Sequence, residues 1–330
     1  MRIEPLNLIS TPVAILNSLG LRVKVGLSSE DPMVWRHRSQ VYHAYLTTYA
    51  PDGRFLGRQV LGQIAPRQRR LLDLSDLTRA SVPHEDHVAV VHRVPAHLLT
   101  QAPRLPRLWD PRPKQELTAL QSLIPEDPVE LPAHADYSFF RAYLQYEFDG
   151  ARGGNGSVIY EVPYRFNAPR PAASSPPSTL VFTTKVWLSA RVHSYVVLMN
   201  YSTDSGYRHT ADYVYGCYSS QGQRVASGRV SVKPFALQVL DLRAAIPVEA
   251  QRRARDPSDG ASVFSFVGYC EDAALAVVVL NLDYEGKGIS VEHTHPAQSY
   301  LIPDRFADRH AVKSQAVKAW KTMLAAESAP

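Results

Sequence analysis

The chain has 330 residues, of which 45% are hydrophobic and 20% charged, and a formal net charge of +5. That balance provides enough apolar material for about two cores and excludes a disordered chain. Two cysteines exclude a disulfide scaffold or a cysteine-rich zinc module, and the longest apolar run, Ala273–Leu280, has strand length rather than membrane-span length.

Arginine exceeds lysine, and 25 prolines accompany it. The arginine patches Arg67, Arg69 and Arg70, and Arg252, Arg253 and Arg255, have no aromatic residues interleaved, so nucleic acid is not an expected partner. Met1–Ser10 has no long apolar core and no small-residue cleavage site. The expected compartment is the cytoplasm, with no transmembrane segment.

In chain order, polar–apolar alternation marks a series of short strands. Leu21–Leu27 is followed by Val41–Tyr49, a turn at Pro51-Asp52-Gly53, Gly57–Ile64, Leu71–Leu74 and Val88–Val94. Proline second and glycine fourth suit a type I turn. Gln101–Pro132 is rich in proline, with a short helix expected over Lys114–Leu123. Phe139–Phe148 and Ser157–Tyr164 form a hairpin around Gly153-Gly154-Asn155-Gly156. Ala168–Ser178 reads as an exposed linker, because its prolines have no amide to donate and its small residues have little to bury.

Beyond the linker the first half recurs. Tyr213–Tyr218, a turn at Ser220-Gln221-Gly222, Arg224–Val232, Pro234 and Val239–Leu242 follow one another. Tyr49 and Tyr218 each lie four residues before the turn glycine, and Pro66 and Pro234 each lie seven before Asp73 and Asp241. Each unit ends in Leu-Asp-Leu and is followed by an acidic turn (Glu85-Asp86, Glu271-Asp272) and an apolar strand. Such self-similarity points to an internal duplication. Finally, Asp304–Ala326 has helical spacing of Phe306, Val312, Ala316, Val317, Trp320, Met323 and Leu324, with Asp304 as its cap.

The expected fold is therefore all-β: two tandem antiparallel β-sandwich domains, immunoglobulin-like and related by internal duplication, with a C-terminal amphipathic helix. The expected divisions are 1–100 for the first sandwich, 101–136 for a proline-rich connector and 137–167 for the hairpin. The linker then covers 168–178, the second sandwich 179–303, and the helix and tail 304–330.

Three groups of residues could carry function. His293 and His295, two apart on a strand, share a face, and with Glu292 beside them they are candidate ligands for a divalent metal. His92 and Arg93 lie where an apolar strand turns polar; the imidazole could act as general acid or base and the guanidinium could hold a carboxylate or phosphate. The polar, aromatic loops Ser28–His37 and Asn200–His209 occupy corresponding places, each with an Arg-His pair. Arg36, His37, Tyr201, Tyr207, Arg208 and His209 are therefore candidate ligand contacts.

No Gly-x-Ser-x-Gly elbow or Cys–His nucleophile motif is present in the sequence. The expected function is non-catalytic: binding of a small molecule or protein partner, or assembly, in a cleft between the sandwiches. The alternative is a metal-assisted or acid–base lyase, isomerase or hydrolase with a histidine-lined site. The C-terminal helix is expected to dock its apolar stripe on a sheet of the same chain; its basic face would also permit peripheral contact with an anionic membrane or a partner.

Overall fold

A computed structural model describes residues 2–3, 9–28, 41–66, 68–79, 82, 84–98, 124, 129–130, 139–150, 155–163, 178–293, 315 and 318–322. Arg36, His37, His295, the helix expected over Lys114–Leu123 and all of the linker but Ser178 lie outside the described residues. The chain divides into two compact units. One comprises Met1–Gly150, Ser157–Ala168 and Ser202–Gly206; the other comprises Ala151–Gly156, Pro169–Tyr201 and Tyr207–Pro330.

Antiparallel strands make up most of the described structure. The first unit is built on β1 (Arg2–Ile3), β2 (Ser10–Ile15), β3 (Leu21–Ser28), β4 (Tyr42–Tyr49), β5 (Phe55–Ile64), β6 (Arg69–Asp73), β7 (His87–Pro95), β8 (Val129–Glu130), β9 (Phe139–Phe148) and β10 (Asn155–Pro163). β1 and β8 form a separate two-residue ladder. The remaining strands form two four-stranded sheets, ordered β2-β7-β4-β5 and β10-β9-β3-β6. The expected hairpin strand Phe139–Phe148 thus pairs with β3.

The second unit uses β11 (Thr179–Leu188), β12 (Val192–Met199), β13 (Ala211–Tyr218), β14 (Arg224–Val232), β15 (Leu237–Asp241), β16 (Ser262–Cys270), β17 (Ala276–Asp283) and β18 (Gly288–His293). Its sheets run β11-β16-β13-β14 and β15-β12-β17-β18. Counted within each unit, with the β1–β8 ladder set aside, the order is the same in both. One sheet is first-sixth-third-fourth and the other fifth-second-seventh-eighth.

The recurring sequence signals form matching local structures. In the two tight turns the Gly53 and Gly222 amides donate to the Ala50 and Ser219 carbonyls at 2.9 and 3.0 Å. Both glycines sit at positive φ, 89° and 75°, a conformation that costs glycine little. At the prolines, the Gln68 and Ala236 amides donate to the Ala65 and Lys233 carbonyls at 3.3 and 3.1 Å, which places Pro66 and Pro234 second in a β-turn.

The Leu-Asp-Leu motif departs from the expected strand. The strand stops at the aspartate, and short helices begin at Leu74–Arg79 and Leu242–Ala245. Asp73 Oδ1 accepts from the Asp76 amide at 3.0 Å, and Asp241 Oδ1 from the Arg243 and Ala244 amides at 2.9 and 3.3 Å. Each aspartate satisfies amides that the first helical turn leaves without partners. The second leucine of each motif, Leu74 and Leu242, is fully buried.

Each unit hides its apolar side chains between its sheets. In the second, Tyr213, Phe264 and Phe266 from one sheet meet Val196, Leu198 and Val279 from the other. In the first, Tyr146 of β9 is buried and its hydroxyl donates to the Ala14 carbonyl of β2 at 3.2 Å, tying one sheet to the other. The described tail residues, 315 and 318–322, are helical. Trp320 packs on the cluster of Leu180, Tyr218, Val267 and Tyr269, on the outer face of a sheet of its own unit. Among the described residues no helix is long and apolar enough to cross a membrane.

Candidate functional site

A cluster of ion pairs lies at the Leu-Asp-Leu corner of the first unit. β3 is paired with β6 on one side and β9 on the other, so the start of β3 stands beside the ends of both. Alternation along β3 buries Leu21, Val23 and Val25 and leaves Arg22 and Lys24 on the other face. Arg22 Nη2 donates to Asp73 Oδ2 at 2.5 Å and to Asp76 Oδ2 at 2.7 Å, and Nη1 lies 3.6 Å from Asp149 Oδ1. These carboxylates hold Arg22 charged, with its pKa raised above the usual arginine value chiefly by the Asp73 bond. Arg79, one turn further along the short helix, lies 3.5 Å from Asp76.

A cavity of about 330 Å³ opens here, with Asn17, Arg22, Ser75, Arg79, His84 and Asp149 in its walls. Arg22 Nε is buried and has no hydrogen-bond acceptor. A buried donor left unpaired costs roughly 1–3 kcal/mol. His84 sits at φ 71°, a strained conformation for a residue with a side chain.

The second unit shows what the same corner looks like with other residues. The Asp149 amide donates to the Gly20 carbonyl at 2.9 Å, and the Tyr284 amide to the Arg191 carbonyl at 3.1 Å. By this register His193 stands where Arg22 does, and Tyr284 where Asp149 does. The His193 and Tyr284 rings meet edge to face at 5.2 Å, and the Arg243 guanidinium donates to His193 Nε2. The Tyr195 hydroxyl bonds that of Tyr284 at 3.1 Å. Burial, then the Arg243 charge, lower the His193 pKa, so its imidazole is held neutral.

The residues singled out from sequence are placed as follows. His92 is 3% exposed, and its ring nitrogens Nδ1 and Nε2 lie 2.8 Å from the hydroxyls of Ser10 and Thr47 on the two flanking strands. It braces three adjacent strands. Arg93 beside it is equally buried.

Tyr201 is 2% exposed and packs on Phe235 at 6.0 Å. Tyr207 packs on the same ring at 6.1 Å, and its hydroxyl donates to Asn200 Oδ1 at 2.9 Å. Asn200 in turn donates to the His209 and Val232 carbonyls, 2.9 Å in each case. His209 Nε2 lies 2.9 Å from Asp272 Oδ2, and Arg208 donates to the Tyr207 carbonyl at 2.7 Å. The structure therefore brings Tyr201, Tyr207 and His209 together, and spends the Tyr207 hydroxyl and the His209 imidazole on holding the loop. Arg208 and His209 remain exposed.

Glu292 is engaged by the Lys185 ammonium and by the Thr183 hydroxyl at 3.3 Å. His293 closes β18 opposite Val278. Among the described residues no three His, Cys, Asp or Glu side chains are grouped to hold a metal ion.

Sequence reading missed Arg22, Arg79 and Asp149. Arg22 showed only as the outward polar position of a strand, and Asp149 only as the residue after an aromatic strand end.

No family model matches the chain, and no curated protein matches it. Among solved structures it is similar to a β-glucuronidase from glycoside hydrolase family 2, at 9% identity and a TM-score of 0.16, over 86% of this chain and 23% of that one. A putative β-galactosidase from Bacteroides fragilis gives 10% identity and a TM-score of 0.15, over 86% of this chain and 32% of that one. A glycosyl hydrolase family 2 member from Bacteroides cellulosilyticus gives 10% and 0.16, over 86% of this chain and 26% of that one. The chain thus spans about a quarter to a third of the length of these proteins, and likeness at this level transfers nothing to it.

Proposed function

We propose that this chain is a non-catalytic binding protein, made by duplicating one immunoglobulin-like sandwich, that holds a small molecule in the corner cavity of its first unit. The duplication is supported by the shared strand order, the paired turns and the two aspartate-capped corners. The immunoglobulin-like reading is supported by pairing of second with fifth strand and third with sixth, as B pairs with E and C with F in that fold. The first strand lies beside the sixth, where an immunoglobulin domain has G, and the seventh beside the second, where it has A. The first and seventh strands thus take each other's places relative to that fold. Cys217 and Cys270 are free and buried, which suits the cytoplasmic setting expected from the sequence.

The observation that carries the binding reading is Arg22: a guanidinium in a cavity wall, held by carboxylates, with one buried N–H lacking an acceptor. A fragment mixture of anions, cations and neutral polar molecules, screened by saturation-transfer NMR, tests it. At least one fragment should bind the wild-type protein saturably and fail to bind a folded Arg22→Gln variant. Binding that persists in Arg22→Gln, or no saturable binding in the wild type, refutes the reading.

A further inference from the structure

The sheet β11-β16-β13-β14 carries an apolar patch on its outer face. Val181, Val186, Leu188 and Phe264 belong to the core between the sheets. Their neighbours Phe182, Trp187 and Val263 therefore point outward, and they are 54%, 52% and 44% exposed. Trp187 pairs with Val263 across the two strands, and Phe182 pairs with Val267, a member of the cluster on which Trp320 packs. The patch thus continues the seat of Trp320. Large apolar side chains massed on a surface mark a docking site.

We infer that the occupant is the chain's own C-terminal segment, with Val312, Ala316 and Val317 packed over Phe182, Trp187 and Val263. Residues 294–314, 316 and 317 lie outside the described residues, and both of their ends are fixed beside the patch. At one end β18 finishes at His293, and Glu292 before it is engaged by Thr183 and Lys185 of β11. Phe182 and Trp187 stand on either side of that pair. At the other end the helical residues 318–322 place Trp320 on the outer face.

Spacing and direction agree with this occupant. Val312, Ala316 and Val317 precede Trp320 by eight, four and three residues, so in a helix they share its face. Lys321 Nζ lies 2.8 Å from Glu271 Oε2, just past the Cys270 end of β16. That leaves the earlier turns to the Val263 side. A helix recedes about 12 Å from Trp320 to Val312, and a strand advances about 13 Å from Val267 to Val263.

The test is NMR on the full chain, ¹³C-labelled at valine methyls and ¹⁵N-labelled at tryptophan. The expected result is nuclear Overhauser contacts from the Val312 or Val317 methyls to the Trp187 ring or the Val263 methyls. Val312→Asp should shift the Trp187 indole resonance while contacts of Trp320 with Val267 persist. A mixture of labelled and unlabelled chains separates contacts within one molecule from those between two. Contacts only between molecules assign the patch to a second copy and overturn the inference. Absence of contacts from both valines overturns it too, as does an unmoved Trp187 resonance in Val312→Asp.

Discussion

Replacing His92 by leucine separates a structural histidine from a chemical one. In the protein its two ring nitrogens each sit 2.8 Å from a hydroxyl, those of Ser10 and Thr47, which are 2% and 1% exposed. A neutral imidazole donates at one nitrogen and accepts at the other, and a hydroxyl can answer either. Leucine fills similar space but leaves both hydroxyls without this partner, at about 1–3 kcal/mol each. The loss should be about 2–5 kcal/mol, or about 5–15 °C of melting temperature for a unit of this size. Urea titration and calorimetry measure it. The triple variant Ser10→Ala, Thr47→Val, His92→Leu removes the three polar partners together and should recover more than half of the loss. If His92→Leu is as stable as the wild type, or if the triple variant is no better than the single one, the bracing role is wrong.

Two further outcomes follow from the packing. Gly268 of β16 faces the buried Tyr213 ring so closely that an added methyl would clash with its hydroxyl and Cζ and lie 2.8 Å from Cε1. Gly268→Ala should cost about 1–3 kcal/mol, read as a lower urea midpoint at unchanged slope; an unchanged midpoint would show that the ring moves aside freely. His43 and His87 are 2% and 0% exposed, and burial lowers both pKa values below the usual 6.5. The unfolded chain then takes up protons at a higher pH than the folded one. Their contribution is intact above about pH 6.5 and declines as pH falls below it towards the lowered folded values. Melting temperatures from pH 8 to 5 should drop across that window, and less steeply in His43→Gln; a flat profile would contradict the assignment.

The parts of the fold that announced themselves in the sequence are those fixed by a few neighbouring residues. Tyr49–Gly53 and Tyr218–Gly222 set a turn by positive φ at glycine, and Pro66 and Pro234 set another by fixed φ. The Leu-Asp-Leu motif was visible as a repeat but misread as strand. Its central residue is a strand end and a helix cap at once, and only the following amides reveal the cap. Pairing of β9 with β3 was not legible, because alternation gives a strand its faces but not its neighbour.

The corner cavity was not legible for the same reason. Its walls come from separate parts of the chain, among them Arg22, Ser75, His84 and Asp149, which no local pattern joins. Conversely, the polar–aromatic look of Asn200–His209 reflected a loop that uses its own side chains as scaffolding. His92 looked chemical because a polar residue in an apolar strand stands out, and the hydroxyls that employ it lie 82 and 45 residues away.

The position of β9 governs the order in which the first unit can be finished. Residues 21–28 must wait for residues 139–148 before both of their edges are satisfied. As the chain leaves the ribosome, β2 through β7 can associate first, while one flank of β3 stays open to water and to stray strands. Some forty residues must emerge before the missing neighbour arrives. During synthesis this unit therefore has a vulnerable interval that the second unit, whose strands are joined by short connections, passes through more briefly.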